Sequence, residues 1–256
     1  MPQICQTDFP TALSVPRPLP GVAPLEPDGW ITVDEVYGAQ TAYRSALMDS
    51  HRDVVMASCP GSEAAQSEAL EAALAVLAAR DDFEVGPAKV VCPDGRHVPL
   101  DAAPLEVLSH LVQEDICLLE RADADAEHVL TAGVMCFPAS WMLQEKIGRP
   151  LMGVHAPVTE YDDALGKRVQ RLFDGVQVGR PLWRFNRLWY ADADLFQPRA
   201  EAARRDPVTA QSYDFLRMEK QSILRLPRTR AVVFSIHTYV LRRQDVPADV
   251  EARLAE

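Results

Sequence analysis

An α+β fold, with an antiparallel sheet carrying helices over one face and a helical extension on its N-terminal side, follows from three features of the sequence. The C-terminal third holds three runs rich in β-branched and aromatic residues, 182–191, 215–226 and 230–241, the last reading RAVVFSIHTYVL. The N-terminal half instead spaces its apolar residues at helical period. Between the halves, residues 128–137 form an apolar, β-favouring run with Gly133 inside it, which predicts a buried strand with a close backbone approach at the glycine.

The elements follow in chain order. Residues 1–29 contain Pro10, Pro16, Pro18, Pro20, Pro24 and Pro27 and predict an extended arm, not a fold of its own. Residues 30–256 then form one domain. Over 30–48, Val33, Val36, Tyr37 and Leu47 predict a packing helix. Ser62 or Ser67 can start an alanine-rich helix that carries Leu70, Leu74 and Leu77 on one face. Asp94-Gly95 lies between two short strands, 88–92 and 96–100, because the pair supplies the positive φ a tight hairpin needs. Pro104 opens a helix predicted to run to Glu120. On it Gln113, Glu114 and Asp115 read as a solvated acidic face. Pro138 ends the central strand, and Ser140 is expected to cap a helix with Trp141, Leu143 and Ile147, stopped by Gly148 and Pro150. Residues 151–158 form a connector with His155 between Pro150 and Pro157. A helix over 162–177 with Val169, Leu172 and Phe173 on its apolar stripe leads into the three strands.

Composition excludes several function classes. The chain has 256 residues, 48% hydrophobic and 25% charged, with a net charge of −11, so it lacks the basic surface that a phosphate backbone requires. No run is long and apolar enough for a membrane span. The start, MPQICQTDFP, has no basic segment followed by an apolar one, which makes the cytoplasm the expected compartment. Five cysteines, Cys5, Cys59, Cys92, Cys117 and Cys136, are widely spaced with no CxxC pair, so buried free thiols are expected over zinc, iron–sulfur or covalent haem sites. No glycine-rich phosphate loop follows a strand, so the chain shows no nicotinamide or flavin site.

The run VMCFPASWMLQEKIGRPLMGVHAPVTEY, with QED at 113–115 before it and EKQSILRLP at 219–227 after it, resembles the haem-dependent oxidative N-demethylases, the haem subunit of dimethylamine monooxygenase. The likeness spans about residues 30–241, with several spaced motifs in the same order. It implies a PAS-like fold holding haem b, and an O2-dependent N-demethylation of a small alkylamine such as dimethylamine. It also implies electrons from NADPH through a separate reductase with flavin and an iron–sulfur cluster, hence a hetero-oligomer. A PAS-like haem sensor and a non-catalytic structural subunit are the alternatives.

Haem iron needs an axial donor, and His155, at the family's G-V-H-x-P-V position, is the metal and cofactor-binding residue the resemblance implies. His237 on the last strand is its rival. His51, His97 and His128 are expected to be exposed, and His110 to belong to a packing helix. Cys136 is a weaker thiolate candidate, because no adjacent cation lowers its pKa. Period-two alternation puts Arg217, Glu219, Gln221 and Arg225 on one face of the strand at 215–226. That face is either a solvated charged surface or, as the resemblance implies, the catalytic one, with Glu219 taking a substrate ammonium, Gln221 beside it and the Arg225 guanidinium toward oxygen. Arg184 and Asn186 also match the family pattern. Arg187 and Lys220 depart from it, where tryptophan and arginine are usual, and leave the substrate open.

Overall fold

The computed structural model describes residues 3–8, 10, 21–123, 126–155, 163–203, 213–248 and 250–251, without the side chains of 155 and 163–165. Its elements in order are β1 (Ala23–Pro24), α1 (Tyr37–Val55), β2 (Met56–Ser58), α2 (Glu63–Ala78), β3 (Glu84–Val85), β4 (Lys89–Val91), β5 (His97–Pro99), α3 (Pro104–Leu111), β6 (Asp115–Glu120) and β7 (Val129–Val134). After a 3-10 turn (Leu143–Glu145) come α4 (Leu151–His155), α5 (Asp163–Gly175), β8 (Leu182–Tyr190), β9 (Phe215–Arg225) and β10 (Val232–Arg242), and a second 3-10 turn spans Arg243–Asp245.

Seven strands form an antiparallel sheet in the order β1-β8-β9-β10-β6-β7-β2, and β3-β4-β5 form a small separate one. The α+β class is thus observed. Helices cover both faces, because the N-terminal extension supplies a second layer. On the back face Ile116, Leu118, Ala132, Val134 and Val233 pack against Leu47, Val55, Ala69, Leu105 and Leu108 of α1–α3. On the front, Cys117, Leu119, Ile223, Val232 and Ile236 pack against Leu143, Leu151 and Phe173. Such two-sided burial is what turns an amphipathic sheet into a stable core.

Local chemistry explains where the elements begin and end. The first helix starts at Tyr37 and not at Trp30, because Asp34 folds its carboxylate onto the Val36 N–H at 3.1 Å and its carbonyl onto the Tyr37 N–H. In α2 the buried face is Ala65, Ala69, Ala73 and Leu77, while Leu70 and Leu74 are half-buried, since small residues let the helix backbone approach its neighbours closely. The hairpin forms as expected, with Gly95 at φ +80°.

Two expectations are corrected. The helix from Pro104 ends at Leu111, and residues 115–120 form β6 at the centre of the sheet. This strand is buried on both faces, and such a continuous apolar run carries no period that separates strand from helix. Likewise Ser140 caps no helix. It sits at φ +64° with its N–H on the Gln197 carbonyl, and only the 3-10 turn follows, whereas the expected connector at 151–158 opens as α4. At Gly133 an added Cβ would stand 3.1 Å from the Ile116 carbonyl oxygen, so β6 and β7 approach as the glycine predicts.

Candidate functional site

Two sets of buried polar groups lie on opposite faces of the sheet. On the back, Gln113, Glu114 and Asp115 are fully buried, which corrects the solvated reading of this run. Asp115 takes the buried Arg44 guanidinium at 2.5 Å and the N–H groups of Cys136 and Phe137 at 2.7 and 2.8 Å. Gln113 donates to Asp34 and Gln40, at 2.7 and 3.0 Å. Glu114 and Asp34 hold the two nitrogens of His237 at 3.0 and 3.2 Å. Burial disfavours charge on His237, but the two carboxylates outweigh it and raise its pKa to about 9. Both nitrogens of this imidazolium are committed, which removes His237 as the rival iron ligand.

Lys220 lies on the same back face, donating to the Gly29 carbonyl at 2.7 Å and Thr32 Oγ1 at 3.1 Å. Gln6 is also anchored there, on Asp34 and the Thr238 carbonyl. Arg187 alternates to the back as well and lies over Phe185, 5.6 Å from its ring centroid. Of the two departures from the family pattern, Lys220 therefore sits on the opposite face from Glu219, whereas Arg187 turns its side chain to the back while also lining the cleft beside Glu219.

The front face carries the other set. The register pairs Arg184 with Gln221, Asn186 with Glu219, Leu188 with Arg217 and Tyr190 with Phe215, so alternation turns all of these one way. Arg217, Glu219 and Tyr190 are buried, at 2%, 7% and 6% exposure, which removes the solvated-surface reading. One Glu219 oxygen lies 3.5 Å from the Arg217 guanidinium, and the other accepts from the Gln221 amide at 3.1 Å. Arg217 also donates to the Leu195 carbonyl at 3.1 Å and to that of Phe137, which fastens two loops over the strand ends. A narrow cleft lies there, lined by Ala139, Asn186, Arg187, Leu188, Tyr190, Arg217 and Glu219. Tyr190 was not singled out from sequence, although the even-numbered alternation through Arg184 and Asn186 reaches it.

Arg225 is placed differently. It lies six residues beyond Glu219 along β9, about 20 Å at strand rise. Its guanidinium donates to the carbonyls of Val176 (2.8 Å), Arg230 (2.7 Å) and Phe173. It thus clamps the C-terminal end of α5, a use that competes with the oxygen-facing role expected of it.

His128 departs from expectation too. It is fully buried against Phe173, with Nδ1 3.2 Å from the Gln170 amide and 3.7 Å from Asp174. Burial and the Arg225 charge lower its pKa to about 4, and its Nε2 has no hydrogen-bond partner among the described residues. His155 closes α4, but its side chain and residues 156–162 lie outside the described residues. Cys136 is buried beside Arg44, yet burial pushes its thiol up to about 12, so it is no thiolate at neutral pH. All five cysteines are free. Among the described residues no cluster of histidine, cysteine and carboxylates has the geometry of a bare metal site, and no helix is long and apolar enough to cross a membrane.

With this geometry in view, residues 21–256 match the family model described as haem-dependent oxidative N-demethylase, alpha subunit-like. The chain belongs to this family. The match takes in both faces of the sheet. In this member of the haem-dependent oxidative N-demethylase family, apolar and polar residues separate along the front face. Ile223, Phe234 and Ile236 make an apolar floor, and the strip from Arg184 to Tyr190 with Arg217, Glu219 and Gln221 makes a polar end.

Proposed function

We propose that this chain is the haem-bearing subunit of a monooxygenase that removes a methyl group from a small secondary amine. The observation that carries the reading is the buried Glu219 lining a narrow cleft, within a chain that matches the family over nearly its whole length. A carboxylate held between Arg217 and Gln221 retains lone pairs for an alkylammonium.

The residues present fit haem b. The Arg184 Nε is buried without a partner among the described residues, so it offers a donor to an anionic edge of the group. Burial lowers the Arg184 pKa, which an arriving carboxylate would reverse. Arg184 would hold a propionate, and His155 the iron, as the family motif implies. Haem, when bound, supplies the activation of O2. The residues of the chain do the rest: Glu219 binds and orients the ammonium, Gln221 fixes one Glu219 oxygen, and Arg217 holds the loops that wall the site from water. The balance is one N-methyl carbon oxidised to formaldehyde, with the second oxygen atom leaving as water, and two electrons supplied from outside. NADPH through a separate flavin and iron–sulfur reductase is the source proposed, which makes the working enzyme a cytoplasmic hetero-oligomer.

Reconstitution tests the reading. The purified chain with haem should develop a Soret band and, with a reductase, consume NADPH and release formaldehyde in proportion to added dimethylamine. A chain that takes up no haem under any condition would sink the proposal.

A further inference from the structure

The cleft at Glu219 contains more donors than a simple dialkylamine can satisfy. The Tyr190 hydroxyl is buried and has no hydrogen-bond partner among the described residues, and the same holds for the Nε of Arg217, whose other nitrogens are engaged. Both residues are more than nine-tenths buried, and both line the cleft together with Glu219. Buried donors left unpaired are costly, and a pocket that keeps two of them beside a carboxylate is complementary to a particular kind of molecule. The Arg217 N–H can only donate and Tyr190 has a hydroxyl proton to place, so the missing partner is an acceptor. Glu219 accepts only, so its missing partner is a donor, best a cation.

We infer that the substrate is a small zwitterion, an N-methylated amino acid, with its secondary ammonium on Glu219 and its carboxylate on Arg217 Nε and the Tyr190 hydroxyl. This rests on the N-demethylation reading and narrows its substrate class. Charge agrees. A dialkylammonium would engage Glu219 and leave Arg217 Nε and Tyr190 unpaired, whereas the zwitterion pairs all three. Sites built to hydrogen-bond a substrate group discriminate strongly against an analogue that lacks it.

Calorimetric titration of the full chain, loaded with haem, with N-methylglycine and with dimethylamine tests this. N-methylglycine should bind at least tenfold more tightly, and Tyr190→Phe should cut that ratio at least fivefold. Equal or tighter binding of dimethylamine by the wild-type chain would overturn the inference and leave N-demethylation of a plain amine standing. Absence of binding by either amine would overturn both. Should the chain take up no haem, the N-demethylation reading falls, and the same titration of the haem-free chain still decides the zwitterion, because the three partners all belong to the protein. The wild-type comparison does not depend on the variant folding.

Discussion

Nδ1 of His237 on β10 lies 3.0 Å from Oε1 of Glu114, across a separation of 123 residues, while Asp34 holds the other ring nitrogen at 3.2 Å. The histidine is raised to about 9, and Asp34 is lowered because the bonds to His237, Gln6 and Gln113 outweigh its burial. The signs give a pH window. For His237 the folded state binds the proton more tightly, so its contribution is complete below the ordinary histidine value and is lost as pH rises through about 9. For Asp34 the contribution is present above the ordinary carboxylate value and is lost as pH falls through its depressed one. His128, lowered to about 4, adds stability above its ordinary value that is lost on the way down to pH 4. Maximum stability should thus fall near pH 6–7, and a shift of this size at His237 corresponds to about 3 kcal/mol. Melting temperature followed from pH 5 to 10 checks this. A melting temperature that stays flat between pH 7 and 10 would show that the His237 imidazolium does not stabilise the fold.

The Arg225 clamp gives a second expected outcome. Arg225→Ala leaves the carbonyls of Phe173, Val176 and Arg230 without their buried donor, so the loss should be about 2–4 kcal/mol, read by urea denaturation. Arg225→Lys should recover little, because one ammonium cannot match the planar fork. Amide exchange should locate the damage at the C-terminal turn of α5. A variant that keeps its stability while losing demethylation would instead return Arg225 to the oxygen pole.

The strands that build the site were legible to within a residue or two, because β8, β9 and β10 are rich in β-branched and aromatic residues and are bounded by polar loops. The Glu219–Gln221 pairing was legible too, since residues two apart on a strand share a face. What could not be read was long-range. Nothing local to Glu114 signals that it meets His237, and β6 is buried on both sides, so it lost its period and with it its identity as a strand. Arg225 shows the limit of alternation: the period gives the face, but only the docking of α5 shows that its guanidinium is spent on a helix end.

Glu219→Gln removes a charge while keeping shape. The amide can still meet Arg217 through its oxygen and keeps the strand in register, so the Soret band of the reconstituted protein should be nearly unchanged. Amine affinity should fall at least tenfold, about 1.4 kcal/mol or more, because a neutral amide cannot pair with an ammonium as a carboxylate does. Dimethylamine titration measures it. Unchanged affinity would reduce Glu219 to a partner that orders Arg217.

The last expected outcome concerns the iron ligand. His237 is committed through both nitrogens to carboxylates, and the Cys136 thiol is held protonated by burial, so two of the donors weighed from the sequence are already engaged. His155 at the end of α4 is the proposed donor, at the end of a short helix whose first N–H, from Leu151, is bonded to the His128 carbonyl at 2.9 Å. That bond ties α4 to the start of β7 and brings a second imidazole into the same region: His128 is buried, neutral and has an Nε2 without a partner among the described residues. Its Nδ1, near Gln170 and Asp174, has the kind of polar neighbours that orient a ligating histidine. The two sites separate by substitution. His155→Ala should abolish haem retention, or give a spectrum restored by added imidazole, with the fold of the haem-free chain largely kept. His128→Ala should lower the melting temperature by removing a fully buried ring against Phe173, yet leave the Soret position unchanged in whatever haem it retains. The reverse pattern, a normal Soret band in His155→Ala and none in His128→Ala, would move the axial ligand to the start of β7.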